Sequence, residues 1–377
     1  MASRFMLSLL HKRSTSLSRS AFLSPHSFRL RSRPVFFSTP SDVTPPSHND
    51  NDDNKASSQT PSSKPTFLQS NQLQIEATSR GFGQVIFLNS SHSGNVILFS
   101  LALADPSLAA FCALGAITST STARLLGLDE SAWKDGLWGY NGALVGCAAS
   151  VFGGFVPYAL AGTVLGAVAT PVVSASLKNA VSMPQWTWSF NIVTLSALLQ
   201  TRPLLLANSA SVTESGVGEN TIRFGDVILS PLAGISQIFV VQSHWTGLGM
   251  VAAIGMYSPK LAWHALGGSV TGCMVGMMLG ADMSEVAMGL YGYNSALTSM
   301  AVGTFFVDSR HARVLSFAGA AASAVLFGAM KTTFGALGVP CLTLPFCTVA
   351  TACYLLEGQI PGLNLAKEPH SPEKNTI

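Results

Sequence analysis

Apolar and polar positions along this chain alternate in blocks, and the order of the blocks occurs twice. From about residue 80 to 358, long apolar runs are separated by short polar breaks. They cover roughly 92–104, 107–126, 136–153, 155–177 and 188–208, then 245–257, 260–280, 286–306, 313–330 and 343–357. Each run predicts an apolar helix. Several are shorter than the ~20 residues a helix needs to cross a bilayer. The partly apolar stretches 81–91 and 234–244 either lengthen the first helix of each half or form re-entrant pieces, since irregular backbone at membrane depth persists only where protein or a polar cavity surrounds it.

Landmarks inside the blocks repeat at a nearly constant offset. Gly136-Leu137-Trp138-Gly139-Tyr140-Asn141-Gly142-Ala143-Leu144 returns 153 residues later as Gly289-Leu290-Tyr291-Gly292-Tyr293-Asn294-Ser295-Ala296-Leu297. Gln84-Val85-Ile86 pairs with Gln237-Ile238-Phe239 at the same offset, as does Asp105-Pro106 with Ser258-Pro259. Pro184-Gln185-Trp186-Thr187 pairs with Pro340-Cys341-Leu342-Thr343 at 156. Ordered landmarks at one spacing mark an internal duplication. An odd number of spans per copy turns the second copy upside down, and such halves meet near the midplane, where solute sites lie. The expected fold is an all-α polytopic membrane protein, with about ten transmembrane helices in two inverted five-helix repeats and re-entrant or broken segments.

Composition strengthens this reading. Only 10% of the 377 residues are charged and 48% are hydrophobic, against about 25% charged in soluble domains. Gly numbers 34, as suits helices that approach closely in lipid. The net charge is +3, yet residues 1–41 hold seven basic residues and no acidic one, so the remainder stands at 3 minus 7, or −4. No basic face remains for nucleic acid. The six cysteines, Cys112, Cys147, Cys273, Cys341, Cys347 and Cys353, lie in apolar surroundings without metal or redox spacing, so they read as small core residues. No cofactor is implied.

Residues 1–41 have the Arg- and Ser-rich, acid-poor composition of an organelle-targeting presequence, with Phe5, Leu7, Leu9 and Leu10 among Arg4, Lys12, Arg13 and Arg19. A mitochondrial destination, the inner membrane, is favoured over the plastid envelope or plasma membrane. Residues 42–79 read as a disordered polar linker. Repeat 1 then occupies 80–210, an inter-repeat loop 211–226 and repeat 2 227–358, and 359–377 reads as a polar, solvated C-terminal tail.

No ionisable residue stands deep inside a confident run. Asp129, Glu130, Lys134 and Asp135 precede the first Gly-Tyr-Asn phrase, Asp282 and Glu285 the second, and such charges suit helix starts. Coupled transporters keep buried carboxylates or cation relays. Their absence from the pattern favours a passive path for a neutral solute. Neither an intramembrane His/Asp/Glu constellation nor a Gly-x-Ser-x-Gly elbow points to an enzyme.

The repeated phrases resemble those of the urea transporter family. Gln84-Val85-Ile86-Phe87 is followed by Ser93-Gly94, and Gln237-Ile238-Phe239-Val240 by Thr246-Gly247. The third element reads Met183-Pro184-Gln185-Trp186-Thr187-Trp188-Ser189-Phe190 and Val339-Pro340-Cys341-Leu342-Thr343-Leu344-Pro345-Phe346. The resemblance covers about 80–358 and implies a channel-like facilitator of urea, a homotrimer in the lipid bilayer with one pore per subunit between the halves. It places Gln84 and Gln237 at the mouths as hydrogen-bonding groups. Val85, Ile238, Phe87, Val240, Tyr140, Leu144, Tyr293 and Leu297 then wall the slot, and Thr187 and Thr343 line its centre. Asn141 and Asn294 read as ties between helices, and Gly139 and Gly292 as points of close approach. Urea is flat and neutral, with four N–H donors and one acceptor. A narrow apolar slot rejects hydrated ions, while Gln and Thr oxygens replace the water lost by the solute. The sequence departs from the family pattern at Ser91-His92 and His244-Trp245 in place of Asn-Pro, at Ser189 in place of Pro, and at Val240 opposite Phe87. These leave open another small neutral solute, such as ammonia, an amide or water.

Overall fold

The computed structural model describes residues 67–154, 156–212 and 223–377. The targeting presequence and most of the polar linker lie outside the described residues, as do residues 213–222 of the inter-repeat loop.

Fourteen helices follow in chain order among the described residues. The first seven are α1 (Phe67–Gln84), α2 (Ser91–Ala104), α3 (Pro106–Leu125), α4 (Glu130–Lys134), α5 (Tyr140–Phe152), α6 (Val156–Ala180) and α7 (Trp188–Val212). The other seven are α8 (Phe224–Ser236), α9 (His244–Tyr257), α10 (Pro259–Met278), α11 (Met283–Ala287), α12 (Gly292–Phe305), α13 (Arg310–Ala336) and α14 (Leu344–Tyr354). A single 3-10 turn, Gln237–Phe239, follows α8.

The matched Asp-Pro and Ser-Pro breaks have a simple cause. Proline forces the residue before it out of the helical region, and Asp105 and Ser258 are extended, at φ −148° and −157°. Each then caps the next helix: the Leu108 amide donates to Asp105 Oδ1 at 2.9 Å and the Leu261 amide to Ser258 Oγ at 3.0 Å. Proline sits at the first helical position, where its missing N–H costs nothing.

Among the described residues three helices are long and apolar enough to cross a membrane singly: α3, α6 and α13. A fourth crossing would join α8 and its 3-10 turn to α9, bent by 79°. The chain therefore breaks at 237–243 rather than lengthening one helix. Apolar helices α2, α5 and α14 are only 14, 13 and 11 residues long. Long α6 is polar and small inside and apolar outside. Ala159, Thr163, Gly166, Ala167, Thr170 and Ser174 are buried, while Leu160, Leu165, Val168 and Val172 face outward. That inversion of a soluble core suits lipid, where small residues and hydroxyls hold helices together. Hydroxyl pairs join neighbouring helices, Ser119 to Thr170 at 2.9 Å and Thr298 to Ser323 at 2.6 Å. The chain is an all-α membrane protein.

Three expectations need correction. Residues 67–79 are not linker but the first turns of α1, with Ala77, Thr78 and Ser79 buried. Their small and polar side chains read as linker by composition, yet small residues are what close helix packing requires. His264 is a buried ionisable residue within α10, its Nδ1 2.8 Å from Ser316 Oγ and 3.3 Å from Ser299 Oγ. Residues 363–377 are not a free tail but are docked on the body, with Leu363, Ala366, Ser371 and Asn375 buried. Asn375 Nδ2 donates to the carbonyls of Thr304 (2.7 Å), Phe306 (3.0 Å) and Gly303 (3.3 Å), the orphan acceptors at the end of α12. Leu365 bridges to Phe306, and Glu373 accepts from the Lys260 amide at 2.7 Å and the Ser258 hydroxyl at 2.5 Å. The tail thus brings a carboxylate to the start of α10, where the first half has Asp105 in the chain itself.

Candidate functional site

The site is assembled from two kinds of sharp turn and one helix start, each present twice. Helix α1 ends in a turn where the Leu88 amide donates to the Gly83 carbonyl at 3.0 Å and the Phe87 amide to the Gln84 carbonyl at 3.2 Å. Bonds of this type wrap the last carbonyls and put one residue in the left-handed region, a position that favours glycine. Here Phe87 occupies it, at φ 66°. After α8 the same turn places Val240 at φ 62°. The turns before α7 and α14 hold Trp186 at φ 44° and Leu342 at φ 51°. Four non-glycine residues in this region cost on the order of 1–2 kcal/mol each. Strain of this kind collects at functional sites.

The tyrosines of the repeated phrase brace two of these turns. The Tyr140 hydroxyl donates to the Trp186 carbonyl, and the Tyr293 hydroxyl to the Leu342 carbonyl at 2.7 Å. Their neighbours act on the next residues along. Asn141 Oδ1 accepts from the Phe190 amide at 3.2 Å, and Asn294 Oδ1 from the Phe346 amide at 3.1 Å. These amides belong to the unsatisfied first turns of α7 and α14. Each asparagine is therefore an N-cap supplied across space by another helix. Gly139 and Gly292 stand at close approaches: a Cβ would lie 2.6 Å from Thr120 Oγ1 at the first and 2.4 Å from Ser269 Oγ at the second. Gly136 and Gly289 are left-handed, at φ 75° and 78°, with a virtual Cβ 2.5 and 2.2 Å from the backbone nitrogens of Gly81 and Gly234.

The half-buried glutamines are oriented by backbone. Gln84 Nε2 donates to the Asp135 carbonyl at 2.8 Å and Gln237 Nε2 to the Met288 carbonyl at 3.1 Å. A carbonyl only accepts, so the facing atom is nitrogen, and Oε1 of each side chain points elsewhere as an acceptor. No described residue donates to either Oε1.

The two halves meet at the threonines. Thr187 Oγ1 and Thr343 Oγ1 lie 2.6 Å apart, and Thr187 Oγ1 is 3.2 Å from Cys347 Sγ. Both are 3% exposed. Beside them Phe87, Trp186, Phe305 and Phe346 pack edge to face, with ring centroids 5.0–6.3 Å apart. Trp186 Nε1 donates to Thr351 Oγ1 at 3.0 Å. On the other side Val240 stands at the turn position that Phe87 holds in the first half. A recess of about 360 Å³ opens there, lined by Asp105, Val151, Val240, Val241, Gln242 and Ser243 among others. Val85, Ile238, Leu144 and Leu297 are buried in the core behind these groups. Sequence reasoning omitted Trp186, Phe305, Phe346, Cys347 and Asn191. Asn191 offered a signal, as an amide near the start of the apolar run 188–208, four residues after Thr187.

The site is thus a set of fixed acceptors beside an aromatic wall, at the junction of two related halves of a membrane protein. Among the described residues no group of three or more His, Cys, Asp and Glu is placed to hold a metal. Such a site suits a transporter of small solutes rather than a catalyst. The profile of the urea transporter family matches residues 75–358, and the chain belongs to that family. Urea transporter 1 of Ovis aries is 30% identical over 319 residues, covering 80% of this chain and 83% of the relative. The same figures hold for urea transporter 1 of Capra hircus. For the protein of that name in Rattus norvegicus the identity is 30% over 309 residues, with 78% and 80% covered.

Proposed function

We propose that this chain carries urea passively across a membrane, along a path between its two halves. The observation that carries the reading is the doubled arrangement converging on the Thr187–Thr343 contact. Each half contributes one backbone-locked glutamine with its oxygen free, two strained turn residues and one threonine. Urea's N–H groups leave water only where acceptors replace it, since an unsatisfied buried donor costs about 1–3 kcal/mol. Gln84, Gln237, Thr187 and Thr343 supply those acceptors, and Phe87 and Trp186 provide a flat apolar wall for the planar solute. Val240 and the open recess beside it make the second mouth wider.

The finer arrangement belongs to the same proposal. The halves are two inverted repeats of five spans, with short helices and breaks at the repeated phrases. The chain assembles as a homotrimer. Residues 1–41 direct it to an organelle, the mitochondrial inner membrane. Purified protein in liposomes facing an inward urea gradient accelerates the light-scattering recovery. Recovery no faster than in protein-free vesicles refutes the transport reading. Formamide and acetamide, tested as competitors and substrates, decide between urea and another small neutral solute. Light scattering of the detergent-solubilised protein gives the subunit number, and residues 1–60 fused to a fluorescent reporter give the compartment.

A further inference from the structure

We infer that Asn191 sets the direction of the hydroxyl hydrogen bonds at the Thr187–Thr343 contact, and so makes the centre of the path accept N–H donors. This rests on the transport reading above.

Asn191 is fully buried in α7, one helical turn beyond Thr187. Its Oδ1 accepts from the Thr343 amide at 3.1 Å, and its Nδ2 lies 2.9 Å from the Thr187 carbonyl. An amide N–H only donates and a carbonyl only accepts, so these two backbone groups fix which end of the side chain is nitrogen. The second Nδ2 proton then points at Thr343 Oγ1, also 2.9 Å away, which is nearer and a stronger acceptor than Cys347 Sγ at 3.4 Å. Thr343 Oγ1 is therefore an acceptor toward Asn191.

The hydroxyl protons can now be followed. Were Thr187 to donate to Thr343, the Thr343 oxygen would accept twice, and its own proton would have no acceptor in hydrogen-bond geometry among the described residues, whereas Thr187 Oγ1 has Cys347 Sγ at 3.2 Å. In the other direction the Thr343 hydroxyl donates to Thr187 Oγ1 at 2.6 Å, and the Thr187 hydroxyl donates to Cys347 Sγ at 3.2 Å. Every amide and hydroxyl proton of the contact then has a protein partner, and each threonine oxygen keeps one lone pair uncommitted. Both present an acceptor and neither presents a donor. Urea, with four N–H groups, gains from this polarity. Water, which both donates and accepts, gains less.

The duplication shows why the polarity is one-sided. The residue 156 positions after Asn191 is Cys347, whose thiol is only a weak donor and acceptor. One half supplies the strong donor and the other the sink at the end of the chain. Asn191 is thus a positioning residue for the two threonines.

The test is the ratio of urea to water permeability in the same proteoliposomes, for wild type, Asn191→Cys, and the exchange Asn191→Cys with Cys347→Asn. The expected result is a ratio lowered about tenfold in Asn191→Cys, with water permeability within about twofold of wild type, and largely restored in the exchange. The exchange returns an amide to the contact from the opposite half and keeps the side-chain set. Where Asn191→Cys assembles poorly, the exchange carries the test alone. A wild-type-like ratio supports the inference and one about fivefold lower or more overturns it. Urea and water permeability falling together in Asn191→Cys, or an unchanged ratio, also overturns it, because either marks a structural role only. Wild-type vesicles that move no urea refute the transport reading first, and this inference with it.

Discussion

Replacing Asn294 by alanine tests whether the repeated phrase works by capping helices across space. In the native chain Asn294 Oδ1 accepts from the Phe346 amide at 3.1 Å, and Nδ2 makes a longer contact of 3.4 Å to the Leu342 carbonyl. Asn294 is fully buried. Alanine removes both contacts and leaves the Phe346 N–H without a partner in a region that water does not reach. Loss of an N-cap costs about 0.5–2 kcal/mol, and a stranded buried donor about 1–3 kcal/mol. Hydrogen bonds between side chains of membrane helices average nearer 0.6 kcal/mol, because groups freed in lipid find other partners. The higher range applies here, since the stranded group is a backbone amide fixed at the start of α14. A loss of about 1–3 kcal/mol lowers the melting temperature by roughly 1–4 °C for a chain of this size. Thermal unfolding of the detergent-solubilised protein, followed by size-exclusion recovery at fixed scan rate, measures it. Asn141→Ala, which strands the Phe190 amide, shows a similar or slightly smaller drop. Melting of Asn294→Ala indistinguishable from wild type would mean that the cap contributes nothing.

Three further outcomes follow from the geometry. Thr187→Val and Thr343→Val each remove one acceptor at the contact and lower urea flux roughly tenfold at equal reconstitution; Thr343→Val also strands an Asn191 proton and so melts lower. Burial works against the Glu373 carboxylate, but the Ser258 hydroxyl and the Lys260 amide outweigh it and hold its pKa below the ordinary glutamate value. A depressed acid stabilises above its unfolded pKa and loses that contribution as pH falls through the folded value; limited proteolysis therefore cuts the C-terminal segment faster in that acidic window than at pH 7, and Glu373→Gln removes the difference. Gly289→Ala places a Cβ 2.2 Å from the Gly234 nitrogen in a left-handed residue and gives aggregated protein on size exclusion, whereas Gly162→Ala, with open space around it, elutes as wild type.

Much of the family assignment was legible because duplication displays itself as spacing, and spacing survives where single residues vary. The helical class was legible from the charge deficit and the apolar runs. Partners were not. Nothing in Gly-Tyr-Asn says that Asn141 reaches the Phe190 amide 49 residues on, because that contact depends on how α5 packs against α7. Asn191 escaped comparison of the halves for an opposite reason: its counterpart is Cys347, so the pair did not look like a pair. The start of α1 was lost to composition, since Ala77, Thr78 and Ser79 are buried against neighbouring helices yet look like linker. The C-terminal segment was lost in the same way. Its order comes from orphan carbonyls at the end of α12, which no local pattern announces.

The left-handed turns have a consequence for how this protein responds to selection for stability. Phe87 and Val240 occupy positions where glycine would relax the backbone, at a saving of up to about 1 kcal/mol once glycine's own entropy cost is counted. A screen for higher melting temperature alone would favour glycine at both. It would also remove the side chains that wall the mouths of the proposed path. Robustness and discrimination pull in opposite directions at these two residues, and a variant library sorted separately for each would diverge there first.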